Sequence, residues 1–351
     1  MRTIRPSKKP TLTDVARRAG VSVTTASYIL NGRTVEMRIA ADTERRVLAA
    51  IHDLDYRPNW NARTLRRSST QTIGVISDFV ASEAFSNQLL TGASAAAREA
   101  DHLLVIGESM GDSGAERLLI QDMVDRQVDG IIYATLAASS VRVPEALRGV
   151  RSVLLNCVDP ELDLPAVVPD DLAGGRMSVE HLVSAGASGD VYVVGEDPTP
   201  ESTAGVERLR GITSALAQVG WTLSGIVPCS WAVAPAFDAV SAWLGAGARP
   251  SALICLNDRI AMGVYQALAE HGLRVADDVS VISFDGSDLA SWLRPRLTSL
   301  ALPFHDMGMR AVQILMESGR RTSEVSRLPL VLQPGASVRT TVPASIEPGR
   351  A

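Results

Sequence analysis

From Thr70 onward the chain repeats one texture, an apolar run of strand length followed by an amphipathic stretch of helix length. TIGVIS, NQLLTGASAAAREA, HLLVIGES, AERLLIQDMVDRQ and DGIIYA form one set; DVYVVG, VERLRGITSALAQVG, SALICL, DRIAMGVYQALAEHG and VSVISFD form a second. Strands that alternate with helices pair in parallel, and the helices cover both faces of the sheet. Two such sets predict two α/β lobes with a cleft between them, into which the strand ends aim their loops.

The N-terminal region has a different grain. TLTDVARRAG, VSVTTASYILNG and ADTERRVLAAIHDLDY read as three short helices separated by polar or glycine breaks. Thr11 with Asp14 predicts an N-terminal cap, Leu12, Val15, Ala16 and Ala19 recur at helical spacing, and Gly20 ends the first helix. Ser22 is placed to cap the second, in which Ala26, Ile29 and Leu30 face inward while Val23, Thr24, Ser27 and Tyr28 are left for other work. Asn31-Gly32 stops it. A third helix starts near Asp42-Thr43, with Val47, Leu48, Ile51 and Leu54 as its apolar stripe. Two helices around a short glycine turn, the second opening on small polar residues, form a helix-turn-helix pattern. After Arg57-Pro58-Asn59, the stretch WNARTLRRSST is too short and polar to build a core and reads as a hinge. A helix through Leu65 would be marginal there without a partner.

Charge divides at the same place. The whole chain carries −5, but residues 1–67 carry a net +8 and the remaining 284 a net −13. A basic block on an acidic body predicts that the block meets a polyanion; a merely solvated basic arm is the alternative. The only lysines are Lys8 and Lys9. This excludes lysine-dependent chemistry from the body, namely a P-loop, a Schiff base or a lysine general base. HExxH, GxSxG and a complete GxGxxG are also absent. Three separated cysteines, Cys157, Cys229 and Cys255, suit neither a disulfide framework nor a structural zinc site and fit a reducing cytoplasm. The basic start is followed by no apolar segment of the secretory kind, and glycines and prolines interrupt the uncharged stretch from Gly211 to Phe237. No metal, cofactor or membrane partner is expected.

The order of residues in TLTDVARRAGVSVTTASYILNG, and then in TERRVLAAIHDLDYRPNWNARTL, resembles the lactose/galactose repressor (LacI/GalR) family of bacterial transcription regulators. The resemblance runs over almost the whole chain and is sharpest here. It implies an all-α helix-turn-helix headpiece over 1–57 and a hinge helix or linker over 58–69. A two-lobed α/β body like the periplasmic binding proteins follows over 70–345, with a tail at 346–351. One lobe would hold about 70–169 plus 302–330, the other about 170–301 plus 331–345. Between Asn31 and Thr43 the chain departs from the family by about three extra residues. These could bring Arg33 and Arg38 near phosphate or form a surface insertion.

The resemblance places Val23, Thr24 and Tyr28 at base-reading positions; packing of Val23 or Tyr28 in the headpiece core is the alternative. Thr13, Ser22, Thr25, Ser27 and Asn31 are candidates for phosphate contacts, which position a domain without specifying sequence. In the hinge, Asn59, Ala62, Arg63 and Leu65 match PNxxARxL, which implies paired hinge helices in the minor groove with Leu65 wedged into a base step. For a small-molecule effector it points to Phe85, Ser202, Trp231, Asn257, Asp258 and Asp285, with Asp170 near a lobe crossover. The aromatics could instead be core. Ser202 stands where many members carry an arginine, which removes a guanidinium partner for a carboxylate or sugar oxygen. The implied protein is a cytoplasmic, nucleoid-associated repressor. It would bind palindromic operator DNA as a homodimer under control of an effector, a sugar or related metabolite. A periplasmic sugar-binding protein is the rival class, and an enzyme using Asp258, Asp285 and His305 the weaker third.

Overall fold

The computed structural model describes residues 10–57, 69–83, 87–161, 163–187, 189–196, 201–317 and 323–339. The chain divides at Thr70 into an N-terminal unit and a body.

The N-terminal unit holds α1 (Leu12–Ala19), α2 (Val23–Leu30) and α3 (Ala41–Asp53). Thr11 and Asp14 close a full capping box on α1, and Gly20 ends it in the left-handed conformation at φ 66°. Ser22 caps α2, its Oγ accepting from the Thr25 amide at 3.0 Å. The core comprises Val15, Ala16, Ala19, Ala26, Ile29, Val47, Ala50 and Tyr56. One expectation changes: Leu48, placed in the α3 stripe, is 51% exposed, while Val47 and Ala50 are buried. Val47 and Ala50 lie three residues apart on one face, and Leu48 is rotated off it by about 100°. The hinge residues Asn59, Ala62, Arg63 and Leu65 lie outside the described residues.

The body contains two six-stranded sheets. The first has the order β11-β5-β4-β3-β1-β2, from β1 (Thr72–Ser77), β2 (Leu103–Glu108), β3 (Gly130–Ser140), β4 (Ser152–Val158), β5 (Ala166–Pro169) and β11 (Val325–Leu328). Every pairing in it is parallel. The second has the order β12-β10-β9-β8-β6-β7, from β6 (Val191–Val194), β7 (Gly225–Val227), β8 (Ala252–Cys255), β9 (Ser280–Asp285), β10 (Thr298–Ala301) and β12 (Val331–Gln333). Only its β10–β12 edge is antiparallel. Because β5 and β11 lie in one sheet and β10 and β12 in the other, the chain crosses between lobes near Asp170, near Leu302 and near Leu330. The central strands are apolar on both faces, as sheets covered by helices on both sides require. Ile73, Val75 and Ile132 serve one face of the first sheet, and Ile76, Ile131 and Leu154 the other.

Each lobe is tightened by a glycine-to-glycine helix crossing. In the first, α4 (Asn87–Glu99) meets α11 (Phe304–Met316); a Cβ on Gly92 would sit 1.9 Å from the His305 carbonyl oxygen and one on Gly308 would sit 2.0 Å from that of Leu89. In the second, α6 (Asp171–Ser184) meets α7 (Ala204–Gln218), where a Cβ on Gly175 or Gly211 would strike the Arg208 or Leu172 carbonyl. The remaining body helices are α5 (Ser113–Asp125), α8 (Val233–Gly245), α9 (Asp258–Glu270) and the short α10 (Asp288–Trp292).

Candidate DNA-reading helix and effector cavity

Because Ile29 and Ala26 bury the inner side of α2, its opening turn faces outward. Val23 is 43% exposed, Thr24 is exposed, and neither Val23 nor Tyr28 belongs to the headpiece core. Thr13 at the start of α1 is exposed too. Thr25 shares a hydrogen bond of 2.8 Å with the Ser22 hydroxyl, and the Asn31 side-chain amide donates to the Ser27 carbonyl at 2.6 Å. Both ends of α2 are thus secured by their own polar residues.

The body's polar cluster gathers at the C-terminal ends of β8 and β9. Arg208, on the inner face of α7, is 2% exposed and its Nε donates to Asp171 Oδ1 at 2.7 Å. A terminal nitrogen donates to the Leu256 carbonyl at 2.5 Å, and its guanidinium lies over two rings, 4.4 Å from the Phe284 centroid and 5.4 Å from that of Trp231. The Trp231 indole N–H donates to the Glu196 carbonyl. Asn257 caps α9 by accepting from the Ile260 amide at 2.7 Å, while its Nδ2 faces the Trp231 carbonyl at 3.5 Å.

Asp285 ends β9 at φ 104° and lines a cavity of about 150 Å³ together with Asn87, Gln88, Ser287, Leu302 and Phe304. That lining draws on α4 of one lobe, the end of β9 in the other, and the crossover joining them. Loss of surrounding water and the nearby Asp258 push the Asp285 carboxyl up to about 8, against the opposing pull of Arg208 and Arg259. Asp285 therefore holds its proton to higher pH than an ordinary carboxyl, and in that form it can donate as well as accept.

Asp258 is a correction to its expected role as a ligand contact. It is fully buried and accepts from the hydroxyls of Ser283, Ser287 and Ser299 and from the Ser287 amide. Its carboxylate holds the loop after β9 from behind. Ser202 is also spent on structure: it is buried and bridged to Ser139, beside hydrogen bonds of 2.8 Å from the Ser140 amide to the Glu201 carbonyl and from the Thr203 amide to the Ala138 carbonyl. Phe85 lies outside the described residues. Asp170 caps α6 through the Ala173 amide. The sequence pattern did not single out Arg208; the signal that could have found it is an arginine on the apolar side of α7, three residues before a helix-contact glycine. His305, imagined in an enzyme triad, pairs with Asp306 on α11 at 3.4 Å. Among the described residues no group of His, Cys, Asp or Glu is arranged to hold a metal, and no helix is long and apolar enough to cross a membrane.

Residues 11–59 match the family model of bacterial regulatory proteins of the lacI family, and residues 179–342 match the periplasmic binding protein-like domain. The HTH-type transcriptional repressor PurR of Photobacterium profundum is 30% identical over 327 residues, covering 88% of this chain and 91% of that protein. The chain belongs to the LacI family. Catabolite control protein A of Priestia megaterium is likewise 30% identical, over 87% of this chain and 91% of its own. In fold, the lac repressor dimer bound to operator and an anti-inducer superposes with a TM-score of 0.79, covering 95% of this chain and 100% of that one at 24% identity. As a LacI-family member, the chain is a DNA-binding transcription regulator whose body has the periplasmic-binding-protein architecture.

Proposed function

We propose that this regulator is a cytoplasmic repressor. It binds a near-palindromic operator as a homodimer and releases or tightens it when a small metabolite enters the body. The observation that carries the reading is the outward opening turn of α2, where a secured Ser22 cap presents Val23 and Thr24 to solvent. In the major groove, Thr24 can hydrogen-bond a base edge or touch a thymine methyl, Val23 offers apolar contact, and Tyr28 stacks or uses its hydroxyl. Thr13, Ser22, Thr25, Ser27 and Asn31 serve the phosphates, and the helix N-terminus favours the same anions. Asn59, Ala62, Arg63 and Leu65 form the hinge, with Leu65 as a minor-groove wedge whose unstacking cost is offset by the bent duplex.

A dimer is supported by large apolar side chains left in solvent. On the first lobe Leu103, Ile106, Met110 and Leu118 are exposed along the edge strand β2, the loop after it and α5; on the second, Trp292 is 69% exposed. Exposed apolar surface of this kind marks an association face. Two-fold pairing would give each headpiece one half-site.

The effector reading rests on Asp285 lining the cavity at the end of β9, with Trp231 and Asn257 at neighbouring strand ends, where α/β folds bind ligands. An indole together with a carboxyl that can hydrogen-bond hydroxyls suits a hydroxyl-rich ring, a sugar or related metabolite. A thermal-shift screen of sugars, nucleosides and amino acids tests it: a ligand that binds the folded state raises the melting temperature. Uniform silence of the sugars against a shift from another class would replace the reading. The proposed switch is a lobe movement that changes the dimer face and frees the hinge, which requires the ligand to prefer one state. Leu65→Ala should weaken operator binding and reduce bending; unchanged bending would refute the wedge.

A further inference from the structure

The segment after α2, where the chain is longer than its family pattern, folds back on the reading helix. The Arg33 amide donates to the Tyr28 carbonyl at 3.0 Å, the Met37 amide to the Arg33 carbonyl at 3.0 Å and the Ile39 amide to the Thr34 carbonyl at 2.9 Å. This turn sets the Arg33 guanidinium over the Tyr28 ring, 5.3 Å from its centroid. Glu36, three residues on, grips the other side of the fork: Arg33 Nε donates to Oε2 at 2.7 Å and a terminal nitrogen to Oε1 at 2.5 Å. The planar fork is thereby held on an aromatic face and a carboxylate at once, a geometry that lysine cannot reproduce.

We infer that Arg33 and Glu36 form a clamp that fixes the Tyr28 ring on the DNA-facing side of α2, making Arg33 a specificity-positioning residue rather than a phosphate contact. The inference rests on the proposed role of Tyr28 in base reading. A guanidinium already neutralised by a bidentate carboxylate releases little counterion atmosphere when DNA arrives. A ring covered on one face has fewer rotamers to lose when it meets a base, and so discriminates more sharply. Val35, at the tip of the same turn, is 90% exposed, while Ile39 at its end packs against the headpiece core, so the turn is anchored by Ile39 and its backbone bonds and carries the Arg33–Glu36 pair on its exposed side.

The test uses the full-length chain and a duplex pool randomised across about two helical turns, with selected sequences read out by position and salt-dependent anisotropy measured on the preferred duplex. Tyr28→Ala should relax preference at one position of each half-site, and Arg33→Ala should relax the same position while leaving the salt slope unchanged. Arg33→Lys should restore little of it. Glu36→Gln should relax that position too, but steepen the slope by about one counterion per headpiece as the freed arginine finds phosphate. If Tyr28→Ala relaxes a position and Arg33→Ala does not, the clamp is refuted while base reading by Tyr28 stands. A slope made shallower by about 0.9 per headpiece in Arg33→Ala would equally refute it, identifying Arg33 as an ordinary phosphate contact. If Tyr28→Ala relaxes no position, the base-reading role falls and the clamp falls with it.

Discussion

Arg208 shows how a charge is enclosed inside the body. A charge this deeply enclosed is tolerated because Asp171, the Leu256 carbonyl and two aromatic faces replace its water. Removing one partner leaves the other charge stranded, so Asp171→Asn should cost the body about 3–5 kcal/mol in urea denaturation, and a loss below about 1 kcal/mol would contradict the account. Asp285 makes the opposite case. Its folded-state value, raised to about 8 from an ordinary carboxyl near 4, means that the folded protein holds this proton more tightly than the unfolded chain. The resulting stabilisation is complete below about pH 4 and is lost as pH rises to about 8. Asp285→Asn removes that dependence. Melting curves at pH 5.5 and 8.5 should show the wild type losing more stability than the variant across the interval; equal losses would show that Asp285 ionises normally.

At the scale of elements, the helices and strands were largely written in local pattern. The caps at Thr11 and Ser22, the stop at Gly20, and the alternation of TIGVIS, DGIIYA, SALICL and VSVISFD with amphipathic runs all became elements, because caps and periodicity are decided by near neighbours. Leu48 did not follow, since which side of α3 is buried depends on where α1 crosses it. Asp258 did not either: the sequence shows an acid beside an asparagine at a helix start, but not the three serines from β9, β10 and the loop between them that consume its acceptors. The glycines of α6 and α7 were likewise invisible as contacts until the helices were paired. Thr11→Ala, which deletes the capping box, should destabilise the headpiece by about 0.5–2 kcal/mol in thermal melts of the full chain; no change would mean that the cap is idle. Gly211→Ala should cost about 1–3 kcal/mol because its methyl meets the Leu172 carbonyl, whereas Gly149→Ala, with open space around its Cβ, should be near neutral. Equal effects at the two sites would contradict the close helix crossing.

At the scale of the whole molecule, charge divides between a basic N-terminal block and an acidic body, α2 turns its opening outward, and the body holds a polar cavity at the end of β9. The charge split was visible in composition by segment, while the cavity was not, because its lining comes from residues as far apart as Asn87, Asp285 and Phe304. The basic N-terminal block makes association electrostatic, so binding must weaken steeply with salt whatever the sequence of the duplex. Specificity is the part the proposed reading assigns to α2. The most direct test is an anisotropy titration of the full-length protein against a palindromic duplex from its own promoter region and a scrambled duplex of equal length, at matched salt. Binding to the palindrome should be at least about a thousandfold tighter, with the preference reduced by Thr24→Ala. Equal affinity for both duplexes would contradict sequence-specific regulation by this chain.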